Sequence, residues 1–98
     1  MNVSLSIDYG NGTIQTFTDV YLEQNATALD ALRTVEESVI TEHWVGWGSI
    51  VTSIGGITNE GLVGWQYWVN ENWGLVAADL QILVSGDLVE WKYAPFNL

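Results

Sequence analysis

Asn2-Val3-Ser4-Leu5-Ser6-Ile7-Asp8-Tyr9-Gly10-Asn11-Gly12-Thr13-Ile14 begins with an alternation that commits the chain to a sheet with one buried face. Val3, Leu5, Ile7 and Tyr9 alternate with Asn2, Ser4, Ser6 and Asp8, and successive strand side chains point to opposite faces, so one face is apolar and the other polar. Gly10-Asn11-Gly12 supplies residues that accept the positive φ of a tight turn. Ile14 to Leu22 then returns as a second strand with Val20 and Leu22 on one face. Phe17 falls out of step with that face, which predicts a β-bulge nearby. Such a hairpin needs a cover for its apolar face.

The following segment supplies one. Thr27 with Asp30 three residues later is a capping-box pattern, and Leu29, Leu32, Val35 and Val39 recur at helical spacing beside Ala28 and Ala31, predicting one amphipathic helix over 27–40. Further on, Ile50 to Ile54 is a β-branched strand closed by Gly55-Gly56, and 57–64 reads as loop. Trp65, Tyr67 and Val69 alternate with Gln66, Trp68 and Asn70 on another strand, Asn72-Trp73-Gly74 reads as a turn, and Leu88 to Tyr93 forms a last strand that Pro95 ends. Strands arranged around one helix in this order predict an α+β fold. Its best-known solution is a β-grasp-like mixed sheet, in which the N-terminal hairpin and the last strand share the sheet. The helix then crosses the face formed by Leu5, Ile7, Val20, Val89 and Trp91. The 98 residues suffice for a single domain, 1–98.

Twelve Asp and Glu stand against Lys92 and Arg33, a net charge of −10. Such a surface repels phosphate backbones and anionic headgroups, so neither nucleic acid nor a membrane surface is expected as a partner, and self-repulsion favours a monomer. With no cysteine, disulfides, thiolate zinc sites, iron–sulfur clusters and a cysteine nucleophile are all excluded. No apolar run approaches a membrane span, and the N-terminus lacks a basic and apolar leader, as expected of a mature or excised domain.

Little in the sequence speaks for catalysis. His43 is the only histidine and lies in a Gly- and Trp-rich stretch, where it reads as a surface residue rather than as part of a Ser-His-Asp arrangement. No spacing singles out a catalytic carboxylate pair, and Gly46-Trp47-Gly48 lacks the Gly-Lys-Ser/Thr ending of a phosphate loop. The stretch Asp8 to Asp19 fails as a calcium loop at Gly10, leaving loop carboxylates such as Glu60, Asp79 and Asp87 as a weaker alternative. The expectation is a non-enzyme with no catalytic residues, no required cofactor and no resident metal.

Tryptophan carries the informative excess, six in a small chain. Trp65, Tyr67 and Trp91 fit inward-facing strand positions. Trp44, Trp47, Trp68 and Trp73 lie in loops or on opposite faces, where exposed rings beside Asn and Gln side chains suit a large flat ligand, a sugar ring or a partner protein. Asn2-Val3-Ser4, Asn11-Gly12-Thr13 and Asn25-Ala26-Thr27 match the N-glycosylation pattern, which favours an extracellular setting, although turns and caps are rich in these residues anyway.

Several blocks together carry a family likeness: Ile7-Asp8-Tyr9-Gly10-Asn11-Gly12, Ala28-Leu29-Asp30-Ala31-Leu32, Ser53-Ile54-Gly55-Gly56-Ile57, Gly64-Trp65-Gln66-Tyr67-Trp68-Val69-Asn70 and Ser85-Gly86-Asp87-Leu88-Val89-Glu90-Trp91-Lys92-Tyr93. Over nearly its whole length the chain resembles the domain-of-unknown-function family that includes the C-terminal domain of transcobalamin and intrinsic factor. The resemblance implies a β-grasp-like domain, secreted or displayed on a cell surface. It also implies one half of a cobalamin clamp, with an α/α-barrel or other surface-protein domain supplying the rest. By position it places ligand contact at Gly55, Gly56 and Ile57 and along the hairpin from Trp68 through Asn70 to Trp73, although Trp68 and Trp73 themselves depart from the family pattern and suit a different ligand equally. Trp44 and Trp47 join the candidate set as exposed aromatics, not through the resemblance. Cobalamin or a related corrinoid is the ligand so implied. The alternative is a structural or adhesion domain without a small-molecule ligand.

Overall fold

A computed structural model of the protein describes residues 1–96. Asn97 and Leu98, which the length argument includes in the 1–98 domain, lie outside the described residues. The opening alternation becomes β1 (Asn2–Asp8), whose Val3, Leu5 and Ile7 are buried, and β2 (Ile14–Tyr21) pairs with it antiparallel. The turn closes with Tyr9 N–H donating to the Thr13 carbonyl at 3.0 Å and Gly10 N–H to Asp8 Oδ1 at 2.9 Å. The expected bulge is present. The register moves from Val3↔Val20 to Leu5↔Phe17, with Asp19 at φ 53° in the extra stretch.

Helix α1 (Ala28–Val35) carries the anticipated capping box. Asp30 N–H donates to Thr27 Oγ1 at 3.2 Å and Thr27 N–H to Asp30 Oδ2 at 2.9 Å. Its Ala28, Leu29, Ala31 and Leu32 are buried against the sheet. The helix stops earlier than the 27–40 span expected. Glu36 is already extended at φ −135°, and Glu36 and Glu37 would set two carboxylates at the negative end of the helix dipole. Val39, assigned to the helix by spacing, instead starts a strand.

That strand, β3 (Val39–Trp44), pairs antiparallel with β4 (Gly48–Ile54), which pairs in turn with the short β5 (Ile57–Thr58). A three-stranded sheet therefore stands where one strand and a loop were expected. The remaining strands are β6 (Val63–Val69), β7 (Asn72–Trp73) and β8 (Leu88–Pro95). Asn72-Trp73, read as a turn, is a strand, and the turn falls one step earlier at Asn70 and Glu71, with φ of 50° and 70°. The large sheet has the order β2-β1-β8-β6-β7, so the N-terminal hairpin and the last strand share one sheet as expected, and the parallel pairing of β8 with β1 makes that sheet mixed.

Leu5, Ile7, Val20, Val89 and Trp91, the face expected to receive the helix, are all buried, with Trp91 only 1% exposed. Each large side chain so buried contributes about 1.5–3 kcal/mol. Asn59 ties the two sheets together, because its Oδ1 accepts the Trp65 N–H at 2.8 Å while its Nδ2 donates to the Val51 carbonyl at 3.3 Å. The Trp65 indole and the Tyr93 hydroxyl reinforce that seam by donating to the carbonyls of Ile57 at 2.7 Å and Thr58 at 2.9 Å.

Candidate functional site

Beside this seam the sheets diverge and leave a groove of about 430 Å³. One wall comes from the β3–β4 hairpin. Gly46 and Gly48, at φ 83° and 101°, allow the chain to reverse tightly, and Trp47 N–H donates to the Trp44 carbonyl at 2.9 Å, so both indoles are held at the hairpin tip. The floor comes from Trp65, Gln66 and Tyr67 of β6 with Trp91 behind them. Trp73 of β7 and the segment 74–80, including Leu75, Val76 and Leu80, form the opposite wall.

Hydrogen bonds pin most polar ends of these aromatics. Trp44 Nε1 donates to Glu42 Oε1 at 3.1 Å and Trp73 Nε1 to Gln66 Oε1 at 3.3 Å, while the Gln66 amide donates to the carbonyls of Ala94 and Pro95 at 3.0 and 3.2 Å. The Tyr67 hydroxyl donates to the Val76 carbonyl and ties the 74–80 segment to the floor. Burial is the main reason that hydroxyl's pKa is pushed up to about 12, and the negative charge of Asp79 adds to the rise. Trp91 Nε1 is a buried donor without a partner among the described residues. Asp79 supports the hairpin wall by accepting the Ser49 N–H at 3.0 Å.

Trp44, Trp47 and Trp73, three of the residues singled out from the sequence, converge on this groove and are 50%, 71% and 53% exposed. The other five lie elsewhere. Trp68 is half-buried beside Trp73 on the neighbouring strand, with Lys92 Nζ 5.0 Å from its ring centroid. Asn70 is a structural clasp, its Nδ2 donating to Asp87 Oδ1 at 2.8 Å and its Oδ1 accepting the Leu88 N–H at 2.9 Å. Gly55 and Gly56 form the β4–β5 turn, and Ile57 begins β5; none of the three lines the groove. Missing from the sequence-based set are Leu75, Val76 and Leu80, whose signal is an apolar run in a segment without strand or helix periodicity. Glu60, Asp79 and Asp87 do not come together: among the described residues no group of three or more His, Asp or Glu is arranged to hold a metal ion.

A family model described as a domain of unknown function (DUF4430) matches residues 25–94. The chain belongs to the DUF4430 family. No curated protein matches its sequence. Among solved structures, this DUF4430 chain is similar to a suggested metal binding protein from Ruminococcus gnavus ATCC 29149, with 18% identity, a TM-score of 0.76 and 97% of each chain covered. It is also similar to haptocorrin in complex with Cbi, with 12% identity and a TM-score of 0.80 over 98% of this chain and 26% of that one. The DUF4430 chain thus spans about a quarter of the haptocorrin chain. At these identities the likeness is one of fold, and it takes in the N-terminal hairpin that the family match leaves out. The resemblance read from the sequence, to a family of unknown function with the transcobalamin-type C-terminal fold, agrees with both findings.

Proposed function

We propose that this domain is a non-catalytic binding module that holds the face or edge of a flat, largely apolar ligand in the groove between Trp44, Trp47 and Trp73. The observation that carries this reading is the convergence of three exposed indoles from two sheets on one cavity whose volume falls in the range of small-molecule sites. A corrinoid is the most specific candidate, supported by the fold shared with haptocorrin in complex with Cbi. In this reading the domain works outside the cell and a second domain completes the enclosure, since an open groove buries one side of a ligand and binds correspondingly weakly.

A second reading has its own support. Leu75 and Leu80 of the groove wall and Ile82 and Val84 beyond it are exposed, and a run of this kind suits contact with another protein surface in a structural or adhesion role.

Calorimetric titration with cobalamin and cobinamide separates the two. Saturable heat that is lost in Trp47→Ala and Trp73→Ala, and largely kept in Trp68→Ala, supports the ligand groove. Absence of heat up to millimolar corrinoid, equivalent to binding weaker than about −4 kcal/mol, removes the corrinoid and favours the protein-facing role.

A further inference from the structure

The groove offers an anion no counter-charge. Arg33 and Lys92 are the chain's only basic residues apart from His43, and neither lines the cavity. Arg33 Nη2 donates to Thr41 Oγ1 at 3.2 Å, and Lys92 Nζ lies 3.7 Å from Glu90 Oε2 and over the Trp68 ring. His43 precedes Trp44 on β3, so strand alternation turns it to the opposite face. The indole donors of Trp44, Trp65 and Trp73 are already committed to Glu42, Ile57 and Gln66, which leaves those of Trp47 and Trp91 as the neutral side-chain N–H groups that an indole of the lining could still offer. Two carboxylates are bonded to lining residues instead, Glu42 to Trp44 and Asp79 to Ser49. Asp79 Oδ1 lies so close to the hairpin that a Cβ on Gly48 would be 2.7 Å from it. Three indoles stand in the exposed walls beside Leu75, Val76 and Leu80, and the quadrupole of an indole face attracts cations and disfavours anions.

We propose that the groove is selective for charge: it accepts flat ligands with an uncharged or cationic rim and turns away those rimmed with carboxylates or phosphates. This deepens the ligand-groove reading and rests on it. An anionic group entering the groove would lose water, would meet no cationic side chain among the lining residues, and would lie within a Debye length of Glu42 and Asp79.

The test uses one planar tetrapyrrole ring in three forms, carrying four carboxylates, four N-methylpyridinium groups or four uncharged polyether groups, titrated at low and at physiological salt. The uncharged and cationic rings are expected to bind about tenfold or more tightly than the carboxylate ring at low salt, with the gap narrowing as salt rises. Trp47→Ala should weaken both of them. Glu42→Gln keeps an acceptor for the Trp44 indole and should improve carboxylate-ring binding by about threefold, the effect of one charge at short range in high dielectric. Glu23→Gln, on the exposed stretch after β2 and away from the groove, should change it less.

Equal or tighter binding of the carboxylate ring overturns the proposal. Equal effects of Glu42→Gln and Glu23→Gln also overturn it, because the discrimination would then come from net charge alone. If no ring binds, or if Trp47→Ala leaves binding of the uncharged ring intact, the groove reading itself fails and the charge selectivity falls with it.

Discussion

Gly74 shows how closely the groove is fitted together. A Cβ at this position would collide with the Tyr67 ring, so Gly74→Ala must push that ring or the 74–80 segment aside. We expect a loss of about 1–3 kcal/mol in urea unfolding, together with altered groove resonances in NMR spectra. Tyr67 makes a second prediction. Its hydroxyl loses its proton near pH 12 in the folded protein and near the ordinary value of 10.0 in the unfolded chain. The stabilisation linked to the protonated hydroxyl is therefore complete below about pH 10 and is lost as pH rises from there to about 12. Ultraviolet titration of the folded protein should show a late-titrating tyrosine that Tyr67→Phe removes. The exposed indoles of Trp44, Trp47 and Trp73 were readable from the sequence because too many aromatics compete for one small core. The roles of Asn70 and Gly55 were not, since only the folded chain shows that one clasps Asp87 and the other packs beside Tyr9.

Among the elements, the turn before β8 is held by one buried side chain. Asp87 Oδ2 accepts the Val84 N–H at 2.9 Å and its Oδ1 accepts from Asn70, linking the end of β6 to the start of β8. Asp87→Ala would strand both donors, and we expect it to cost about 2–4 kcal/mol by denaturant titration, with Asp87→Asn costing less because one oxygen can still accept. The hairpin, its bulge, the helix cap and the last strand were all predictable, since each depends on neighbours in sequence. Strand β3 was missed for a physical reason. Val35 and Val39 are four apart and satisfy helical spacing, while the signals against a helix are the carboxylates of Glu36 and Glu37 at its C-terminal end and the β-branched run Val39-Ile40-Thr41. The missed strand brought a sheet with it, and that sheet carries one wall of the groove.

Across the molecule, a net charge of −10 works against compaction because twelve carboxylates share a surface with two basic side chains. Added salt screens that repulsion, so the thermal midpoint should rise as sodium chloride increases from about 10 mM to about 0.3 M, as followed by circular dichroism. A midpoint that falls would mean that specific ion pairs outweigh the general repulsion. The deep burial of Trp91 has an optical consequence. Trp91 and Trp65 lie in an apolar interior, whereas Trp44, Trp47 and Trp73 meet solvent at the groove. At the extremes the chain should therefore carry two populations of fluorophore, one emitting at short wavelength behind the sheet and one at longer wavelength around the cavity, with half-buried Trp68 between them. Acrylamide should quench the second and spare the first. A colourless occupant of the groove should shield the quenchable fraction alone, which makes the protein its own reporter of whether that cavity is filled.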